Sequence, residues 1–291
     1  MSNIKGIIYN SVGTLHSSPS YASEIVTQVL LGSVVDIVEV SGDWRKIETS
    51  DKYSGWIRGS VATVDETELN NYLDNPKIIV TSLVTCSHES ADVGSITVSD
   101  LVVGDILSLI GEELDFYEVA YPDGRIGFVK KDCAERLSDW KESIVLTEDN
   151  IVSTAFRFLG VPYLWGGTSY KGLDCSGLTK TVYMLNGVNL PRDASQQVEK
   201  GVLVDTEGNF DDLLKGDLLF FGTKECDGLP EKVVHVAIYM GDKRFIHASD
   251  YVRINSFDPQ DSLFDEFNAN RYLRAKRYIE DGVVTNEYVM R

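Results

Sequence analysis

Cysteine is scarce in this chain of 291 residues, and the four that occur, Cys86, Cys133, Cys175 and Cys226, show no paired spacing. A disulfide framework is therefore not expected, and unpaired cysteines suit a reducing compartment. A metal site is not expected either, because no CxxC or HxxxH spacing joins Cys226 or His235 to further ligands. Cys175 is left as a free thiol, and the sequence predicts no cofactor.

Basic residues are also in deficit. The chain has 27 Lys and Arg against 45 Asp and Glu, which gives a net charge of −18 and a pI near 4.6. This balance argues against nucleic acid or an anionic membrane surface as a partner, because both require clustered Lys and Arg. No apolar run approaches the ~18 residues of a membrane span, and the first residues lack a signal-peptide pattern. We therefore expect a cytoplasmic protein without membrane insertion, unless a leader absent from this sequence directs it to the periplasm or outside the cell.

The segment around Cys175 predicts the start of a helix. Asp174 is a favourable N-cap residue and Gly187 a suitable end. Between them, apolar residues recur at helical spacing at Leu178, Val182 and Leu185. Unpaired N–H groups and the helix dipole at such a start favour a thiolate, which lowers the cysteine pKa from about 8.5 toward neutrality, and they could also receive an oxyanion. The alternative is a small buried hydrophobe, the usual fate of a lone cysteine in an apolar pattern.

Two of the four histidines lie in one predicted hairpin. Residues 233–240 and 244–248 are rich in β-branched and aromatic side chains, and a glycine-led turn at Gly241 separates them. His235 and His247 would project from one sheet face if paired residue numbers sum to 482 or 484, whereas a slip of one residue would separate them. A basic imidazole oriented by a second polar ring is the arrangement that activates a cysteine nucleophile. Two strand histidines satisfied by backbone groups remain the alternative.

Several short motifs follow one another between residues 146 and 280. They are Tyr163–Gly167, Leu173–Leu178, Pro191–Gln197, Lys215–Phe221, His235–Tyr239 and His247–Ser249. Together they resemble the NlpC/P60 cysteine peptidases of bacterial cell-wall peptides. The resemblance implies an α+β protein with a papain-like core, in which Cys175 is the nucleophile, His235 the general base and acid, and His247 the polar residue that holds His235.

The same resemblance implies a substrate groove lined by Tyr163, Trp165, Asp174 and Ser176, with Tyr163 near the oxyanion. A core position is the alternative for Trp165. Ala194 stands where the family often has a small hydroxyl residue, so one substrate hydrogen bond is expected to be missing.

The N-terminal half contains an internal repeat with a period of 72 residues. Gly32 aligns with Gly104, and each copy alternates short strands with turn signals. Two small β-barrels are therefore predicted. Their recurring glycine and tryptophan motifs resemble those of bacterial SH3-like (SH3b) modules. The predicted domains are SH3b domain 1 at residues 1–66, SH3b domain 2 at residues 78–138 and the peptidase at residues 146–280, with a short helix considered in the polar segment 65–77.

The two copies differ where Glu24 aligns with an isoleucine and Tyr53 with an arginine. A surface charge is usually only solvated. Two SH3b modules before an NlpC/P60 domain, with Ser23–Gln28 in the first, nevertheless resemble the γ-D-glutamyl-L-diamino acid endopeptidase branch (dipeptidyl-peptidase VI). That resemblance implies that Glu24 and Tyr53 bind the free amino terminus of the peptide. A buried ammonium needs an anion and oxygen acceptors, and Asp193 could supply a second carboxylate.

The predicted substrate is a peptidoglycan-derived peptide with a free amino terminus. The predicted reaction is hydrolysis of the bond between γ-linked D-glutamate and diaminopimelate or lysine, which releases L-Ala-D-Glu during recycling of wall peptides. Two alternatives stay open: another NlpC/P60 thiol amidase or acyltransferase, and an SH3b-based wall-binding module with vestigial catalysis.

Overall fold

A computed structural model describes residues 4–205, 208, 210–226, 228–280 and 283–284. The chain forms two compact units, Met1–Ser143 and Ile144–Arg291. The first unit contains two seven-stranded sheets in succession, and the second contains a six-stranded sheet with helices.

The first sheet is built from short strands with alternating inward and outward side chains. Its strands are β1 Ile4–Ile8, β2 Val12–His16, β3 Ile25–Leu30, β4 Val34–Ser41, β5 Trp44–Glu48, β6 Ser54–Arg58 and β7 Val61–Val64. Their order is β3-β2-β6-β5-β4-β1-β7. A two-residue turn joins β4 to β5, where Gly42 takes a positive φ of 57° that L side chains rarely adopt. The inward side chains form an apolar core of Ile8, Leu15, Val29, Val35, Ile37, Ile47 and Ile57.

The second sheet repeats the first strand for strand. Its strands are β8 Lys77–Val80, β9 Val84–His88, β10 Thr97–Val102, β11 Ile106–Glu113, β12 Phe116–Ala120, β13 Ile126–Lys130 and β14 Ala134–Arg136, with a 3-10 turn at Lys131–Cys133. The order β10-β9-β13-β12-β11-β8-β14 is the same topology, and β9 to β13 each begin 72 residues after β2 to β6. The predicted repeat is therefore confirmed. The exact domain limits drawn from the sequence stay a prediction.

A short helix joins the two sheets, as considered from the sequence. Helix α1 spans Glu66–Asp74 and begins with a capping box. The Asp65 carboxylate accepts from the Glu68 N–H at 2.8 Å, and the Glu68 carboxylate accepts from the Asp65 N–H at 2.9 Å. Helix α2, Leu137–Ser143, ends this unit.

Buried contacts around Leu31 connect the two barrels of the first unit. The Leu31 side chain belongs to the apolar core of the second barrel. Its N–H donates to the fully buried Asp105 carboxylate at 3.2 Å, and its carbonyl oxygen accepts from the Ile106 N–H at 3.1 Å. The barrels therefore share core packing and buried hydrogen bonds.

The second unit is built on a mixed set of helices and strands. Its helices are α3 Glu148–Phe156, α4 Cys175–Met184, α5 Ala194–Gln197 and α6 Glu266–Ala269. Its strands are β15 Thr168–Ser169, β16 Gly172–Leu173, β17 Val202–Asp205, β18 Leu218–Thr223, β19 Lys232–Gly241, β20 Arg244–Ser249, β21 Tyr251–Ser256, β22 Tyr272–Arg277, β23 Ile279–Glu280 and β24 Val283–Val284. The main sheet has the order β17-β22-β18-β19-β20-β21, and β15–β16 and β23–β24 form separate pairs.

Strand β19 lies inside the main sheet and is covered on both faces. Every side chain from His235 to Tyr239 is buried, which explains why this strand reads as a continuous apolar run rather than an alternation. Helix α4 packs against β19 and β20. This packing brings the start of α4 to the strand that carries His235. Over the described ranges, none of the helices combines the length and apolarity needed to cross a bilayer.

Candidate active site

Helix α4 begins at Cys175, and the predicted cap is confirmed. The Asp174 carboxylate accepts from the Gly177 N–H at 2.7 Å. Gly187 follows the helix with a φ of 83°, the left-handed conformation expected after a helix end. A Cβ at Gly177 would lie 1.9 Å from the carbonyl oxygen of Gly167, so only glycine allows this close approach. The cysteine therefore stands where the sequence placed it.

The Cys175 thiol lies against strand β19. The backbone N–H groups of Ser176 and Val236 act on the thiol and lower its pKa, and Val236 directly follows His235 in sequence. The residue is 9% exposed. The start of α4 and the His235 strand therefore meet at the sulfur, as a Cys–His nucleophile requires.

One expectation about this thiol is corrected. The helix start was expected to lower its pKa, but burial raises the pKa of Cys175 to about 11, and the nearby Asp174 charge acts in the same direction. The N–H groups of Val236 and Ser176 and the Arg192 cation lower the pKa, but by less. The reason is desolvation, which disfavours the charged form of a group removed from water more than two N–H groups favour it. Burial therefore favours the protonated form of the thiol.

The two histidines meet in the hairpin of β19 and β20. Ile238 pairs with Ile246, so paired numbers sum to 484, the register for which both rings project from one face. His235 Nε2 lies 2.8 Å from His247 Nδ1. The pairing of β18 with β19 shifts register beside His235, between Phe221 and Gly222. Such a β-bulge changes the direction of nearby side chains and is common next to active sites.

Burial keeps both imidazoles neutral. It is the largest cause that lowers the pKa of His235 well below its ordinary value, and His247, Arg271 and Arg253 act in the same direction. Burial also lowers the pKa of His247 to about 4, although Asn255 and Asp265 raise it. A neutral ring can take a proton, so the pair is suited to general base catalysis.

A third polar side chain continues this line of hydrogen bonds. His247 Nε2 lies 2.9 Å from Asn255 Oδ1, and Asn255 Nδ2 donates to the Leu263 carbonyl oxygen at 3.1 Å. The rings therefore form a chain of polar contacts that begins at His235 and ends on the backbone.

A buried ion pair holds the loop before α4. Arg192 donates to both oxygens of Asp174, at 3.1 and 2.6 Å, and the two side chains are 3% and 9% exposed. The Asp174 carboxylate also accepts from the Gly166 N–H at 2.9 Å. Asp174 thus joins the helix start, the glycine turn and Arg192. Its predicted contact with substrate stays a prediction.

The other predicted groove residues occupy different environments. Tyr163 is half-buried, and burial, followed by the charges of Cys175 and Asp174, raises its pKa. Ser176 is buried, and its hydroxyl accepts from Arg192 at 3.0 Å. Trp165 is 61% exposed, so the alternative of a core aromatic is wrong. The substrate-binding roles of Tyr163, Trp165 and Ser176 stay predictions.

Asp193 is half-buried at the start of α5, where its N–H donates to Gln196 Oε1 at 3.1 Å. Ala194, the first residue of that helix, is buried. A role for Asp193 as a second carboxylate for the substrate amine stays a prediction.

Comparison with known proteins agrees with this geometry. Residues 160–277 match the model of the NlpC/P60 family, and residues 11–62 match that of a bacterial SH3 domain. The chain is 32% identical over 265 residues to the γ-D-glutamyl-L-lysine dipeptidyl-peptidase of Bacillus cereus. The aligned region covers 87% of this chain and 76% of that protein. The chain belongs to the NlpC/P60 family.

Two further comparisons extend over most of this NlpC/P60 protein. It is 28% identical over 270 residues to dipeptidyl-peptidase 6 of Lysinibacillus sphaericus, with 90% of this chain and 94% of that protein covered. The crystal structure of an NlpC/P60 family protein from Bacillus cereus matches with a TM-score of 0.79 and 27% identity, covering 95% of this chain and 100% of that one. The predictions of the family, of a peptidase and of SH3-like barrels before an α+β catalytic domain are confirmed.

In the SH3 part of this NlpC/P60 protein, Glu24 and Tyr53 lie at one end of the first sheet. Glu24 is exposed and directly precedes β3, and Tyr53 is half-buried and directly precedes β6. Strand β2 pairs with both of these strands, since His16 opposes Ile25 in β3 and Trp56 in β6. The two residues therefore flank the end of β2. Their predicted contact with a peptide amine stays a prediction.

Sequence reasoning gave no role to three residues that shape the site. Arg192 stood in a recognised motif, but nothing in the sequence marked it as the buried partner of a carboxylate. Asn255 lies in β21, where strand alternation could have placed it on one face but could not show which ring it meets. Arg271 is half-buried, and its charge acts on both His235 and His247. In the described residues, no group of three or more His, Cys, Asp and Glu side chains is arranged to hold a metal ion.

Proposed function

We propose that this NlpC/P60 peptidase hydrolyses the amide bond between γ-linked D-glutamate and a diamino acid in wall peptides that carry a free amino terminus. The observation that carries the proposal is the Cys175 thiol at the start of a helix that packs against β19, the strand whose His235 meets His247 at 2.8 Å. The substrate class follows from the relatives, two of which are a γ-D-glutamyl-L-lysine dipeptidyl-peptidase and a dipeptidyl-peptidase 6.

The proposed reaction begins from a neutral pair. Because burial raises the pKa of Cys175 and lowers that of His235, the thiol keeps its proton until substrate arrives. His235 then takes this proton as the sulfur bonds to the γ-carbonyl carbon. The carbonyl oxygen becomes an oxyanion, and backbone N–H groups at the helix start stabilise it.

Collapse of the tetrahedral intermediate completes the first half of the reaction. The C–N bond breaks, and the proton held by His235 passes to the leaving amine of the diamino acid. Water, deprotonated by the same imidazole, then attacks the thioester carbon, the C–S bond breaks and the sulfur regains its proton. His247 keeps the His235 ring in place throughout.

Substrate selection is proposed to depend on the free amine of the peptide. Glu24 and Tyr53 would bind this ammonium, with Asp193 as a second carboxylate, and Tyr163, Trp165, Asp174 and Ser176 would line the groove. Acylation would turn this ammonium into a neutral amide, which loses the charge that pairs with the carboxylates and adds volume beside them, so N-acylated peptides would be rejected. Support comes from the resemblance and from the absence of both side chains in the sibling barrel, where Ile96 and Arg125 stand.

A role in recycling follows from this selectivity. A site that requires a free amino terminus acts on released peptides rather than on the intact polymer, so we place the enzyme in the cytoplasm, where the recycled peptides would be degraded. Cell fractionation with an antibody against the full chain tests this location, and recovery only outside the cytoplasm would contradict it.

Product analysis tests the activity. The full chain is incubated with L-Ala-γ-D-Glu-L-Lys, with the diaminopimelate analogue and with their N-acetyl forms, and products are identified by mass spectrometry. L-Ala-D-Glu and the free diamino acid are expected from the free-amine peptides only. Cleavage at another bond, or acyl transfer instead of hydrolysis, would indicate the amidase or acyltransferase alternative.

Replacement of the nucleophile provides the matched control. Cys175→Ala removes the sulfur without adding volume and is expected to abolish turnover while substrate binding, measured by calorimetry, persists. Cys226→Ala, at an exposed cysteine, should leave turnover unchanged. Substantial turnover by Cys175→Ala would defeat the assignment, and binding without turnover in the unaltered chain would favour the wall-binding module.

A further inference from the structure

Asn255 stands at the end of the polar chain that supports the histidines. It lies on β21, where Phe245 opposes Asn255 and His247 opposes Arg253, so Asn255 is the diagonal neighbour of His247 across the strand pair. Its Oδ1 lies 2.9 Å from His247 Nε2, and its Nδ2 lies 3.1 Å from the carbonyl oxygen of Leu263. Both ends of the amide are therefore engaged.

The backbone contact determines which way the amide faces. A carbonyl oxygen only accepts hydrogen bonds, so the NH2 group of Asn255 must point to Leu263 and the oxygen must point to His247. The amide oxygen also only accepts, so His247 Nε2 must carry a hydrogen to donate. The Leu263 carbonyl oxygen thereby determines which nitrogen of His247 carries the proton.

The same reasoning passes from one ring to the next. His247 is neutral at pH 7 because burial lowers its pKa to about 4, so a proton on Nε2 leaves Nδ1 with a free lone pair. That Nδ1 lies 2.8 Å from His235 Nε2, which must therefore be the donor. His235 is neutral as well, so its remaining nitrogen, Nδ1, carries no proton.

We propose that Asn255 is a positioning residue that sets the tautomers of both histidines, so that His235 keeps Nδ1 unprotonated and ready to take the proton of Cys175. This inference rests on the proposed function and deepens it. Without the amide oxygen, His247 can carry its proton on Nδ1 and donate it to His235 Nε2. His235 would then hold its own proton on Nδ1, where it blocks uptake from the thiol.

Nuclear magnetic resonance observes the tautomers directly. The chain has four histidines, so 15N side-chain spectra can be assigned with His16→Gln and His88→Gln variants. In the unaltered protein at pH 7, both His235 and His247 are expected as the Nε2–H form. Asn255→Leu should show a mixture of forms. A His247 ring protonated on Nδ1 in the unaltered protein would overturn the proposal, and a further His247→Gln spectrum distinguishes its signals from those of His235.

Two substitutions separate orientation of the ring from simple anchoring of β21. Asn255→Leu removes both hydrogen bonds, whereas Asn255→Asp keeps the acceptor toward His247 and loses only the donor toward Leu263. Only the hydrogen bond to His247 acts on the tautomers, and its loss corresponds to about tenfold in rate, so Asn255→Leu should lower kcat by about tenfold with KM within about twofold. Asn255→Asp should retain most of kcat above pH 7. Equal loss in both variants would show that the contact with Leu263, and not the tautomer, is what matters.

The pH profile gives a readout that a purely structural role would not move. Asp265 raises the pKa of His247, and Arg253 and Arg271 lower it. A carboxylate at position 255 would add a second anion and stabilise protonated His247, so the acid limb of kcat/KM should move to higher pH. Asn189→Asp makes the same chemical change where the amide accepts from Lys180 at 3.1 Å, and it should leave the profile in place.

The outcomes also distinguish this inference from the proposed function. If Cys175→Ala keeps its activity, the catalytic assignment fails, whatever the ring tautomers are. If Cys175→Ala is inactive but Asn255→Leu keeps both its kcat and its pH profile, the catalytic assignment stands and the role of Asn255 is refuted.

Discussion

The ion pair between Arg192 and Asp174 gives the sharpest stability prediction for the catalytic unit. The two side chains are 3% and 9% exposed, and Arg192 donates to Asp174 at 2.6 and 3.1 Å and to the Ser176 hydroxyl at 3.0 Å. Arg192→Met removes the charge and keeps most of the apolar stem. The Asp174 carboxylate would then remain buried without its cation.

The size of the loss in unfolding free energy depends on the hydrogen bonds that Asp174 retains. Removal of one partner from a buried ion pair costs about 3–5 kcal/mol. Asp174 would still accept from the N–H groups of Gly177 at 2.7 Å and Gly166 at 2.9 Å. We therefore expect the lower end, a loss of about 3 kcal/mol, which for a unit of this size corresponds to a fall in Tm of roughly 6–12 °C.

Urea denaturation and thermal melting of the full chain, followed by far-UV circular dichroism, measure this loss for the catalytic unit. Asp174→Asn keeps an acceptor for the helix cap, so it completes a double-mutant cycle in which Asp174→Asn and Arg192→Met should cost much less together than the sum of the two. Lys215→Met, at an exposed pair with Asp149, is the control and should change the melting little. An Arg192→Met variant that melts like Lys215→Met, or a cycle without coupling, would refute the reasoning.

Two further predictions concern turnover. On the acid side, the midpoint of the fall in kcat/KM should lie below pH 6.5. Burial lowers the pKa values of His235 and His247, so the base stays unprotonated until pH falls through those lowered values. A midpoint at or above pH 6.5 contradicts His235 as the base. Glu24→Gln should reduce kcat/KM for the free-amine tripeptide by about tenfold or more, as expected for loss of a charged hydrogen bond. The N-acetylated peptide should be affected far less, and Glu39→Gln, at another exposed glutamate of the same barrel, should change neither rate. Equal losses on both peptides would remove the reason for invoking Glu24.

The predictions that held were those carried by short-range patterns. Asp174 before an apolar run with helical spacing indicated where α4 begins, because a cap and a helical stripe depend on residues within a few positions of one another. The glycine-led turn indicated the hairpin of the two histidines for the same reason. The 72-residue repeat could be detected in the sequence because each copy must have the same turns to build the same barrel.

The pKa of Cys175 could not be obtained in this way. A helix start lowers a thiol pKa when the thiol stays near water, and the sequence does not show how much water remains. Burial in the folded unit reverses the direction and raises the pKa to about 11. The Arg192–Asp174 pair and the Asn255–His247 contact were equally hidden, since both join residues on different elements.

By itself the sequence determined the family, the helix that carries Cys175 and the two barrels, and it named Cys175, His235 and His247 as the catalytic candidates. All of these depend on order along the chain. Only the tertiary structure decided the register that brings His235 within 2.8 Å of His247, the amide that orients the second ring and the burial that keeps thiol and imidazoles neutral. Those features arise when distant segments pack and exclude water, so the charge state of each group depends on neighbours that no local pattern specifies.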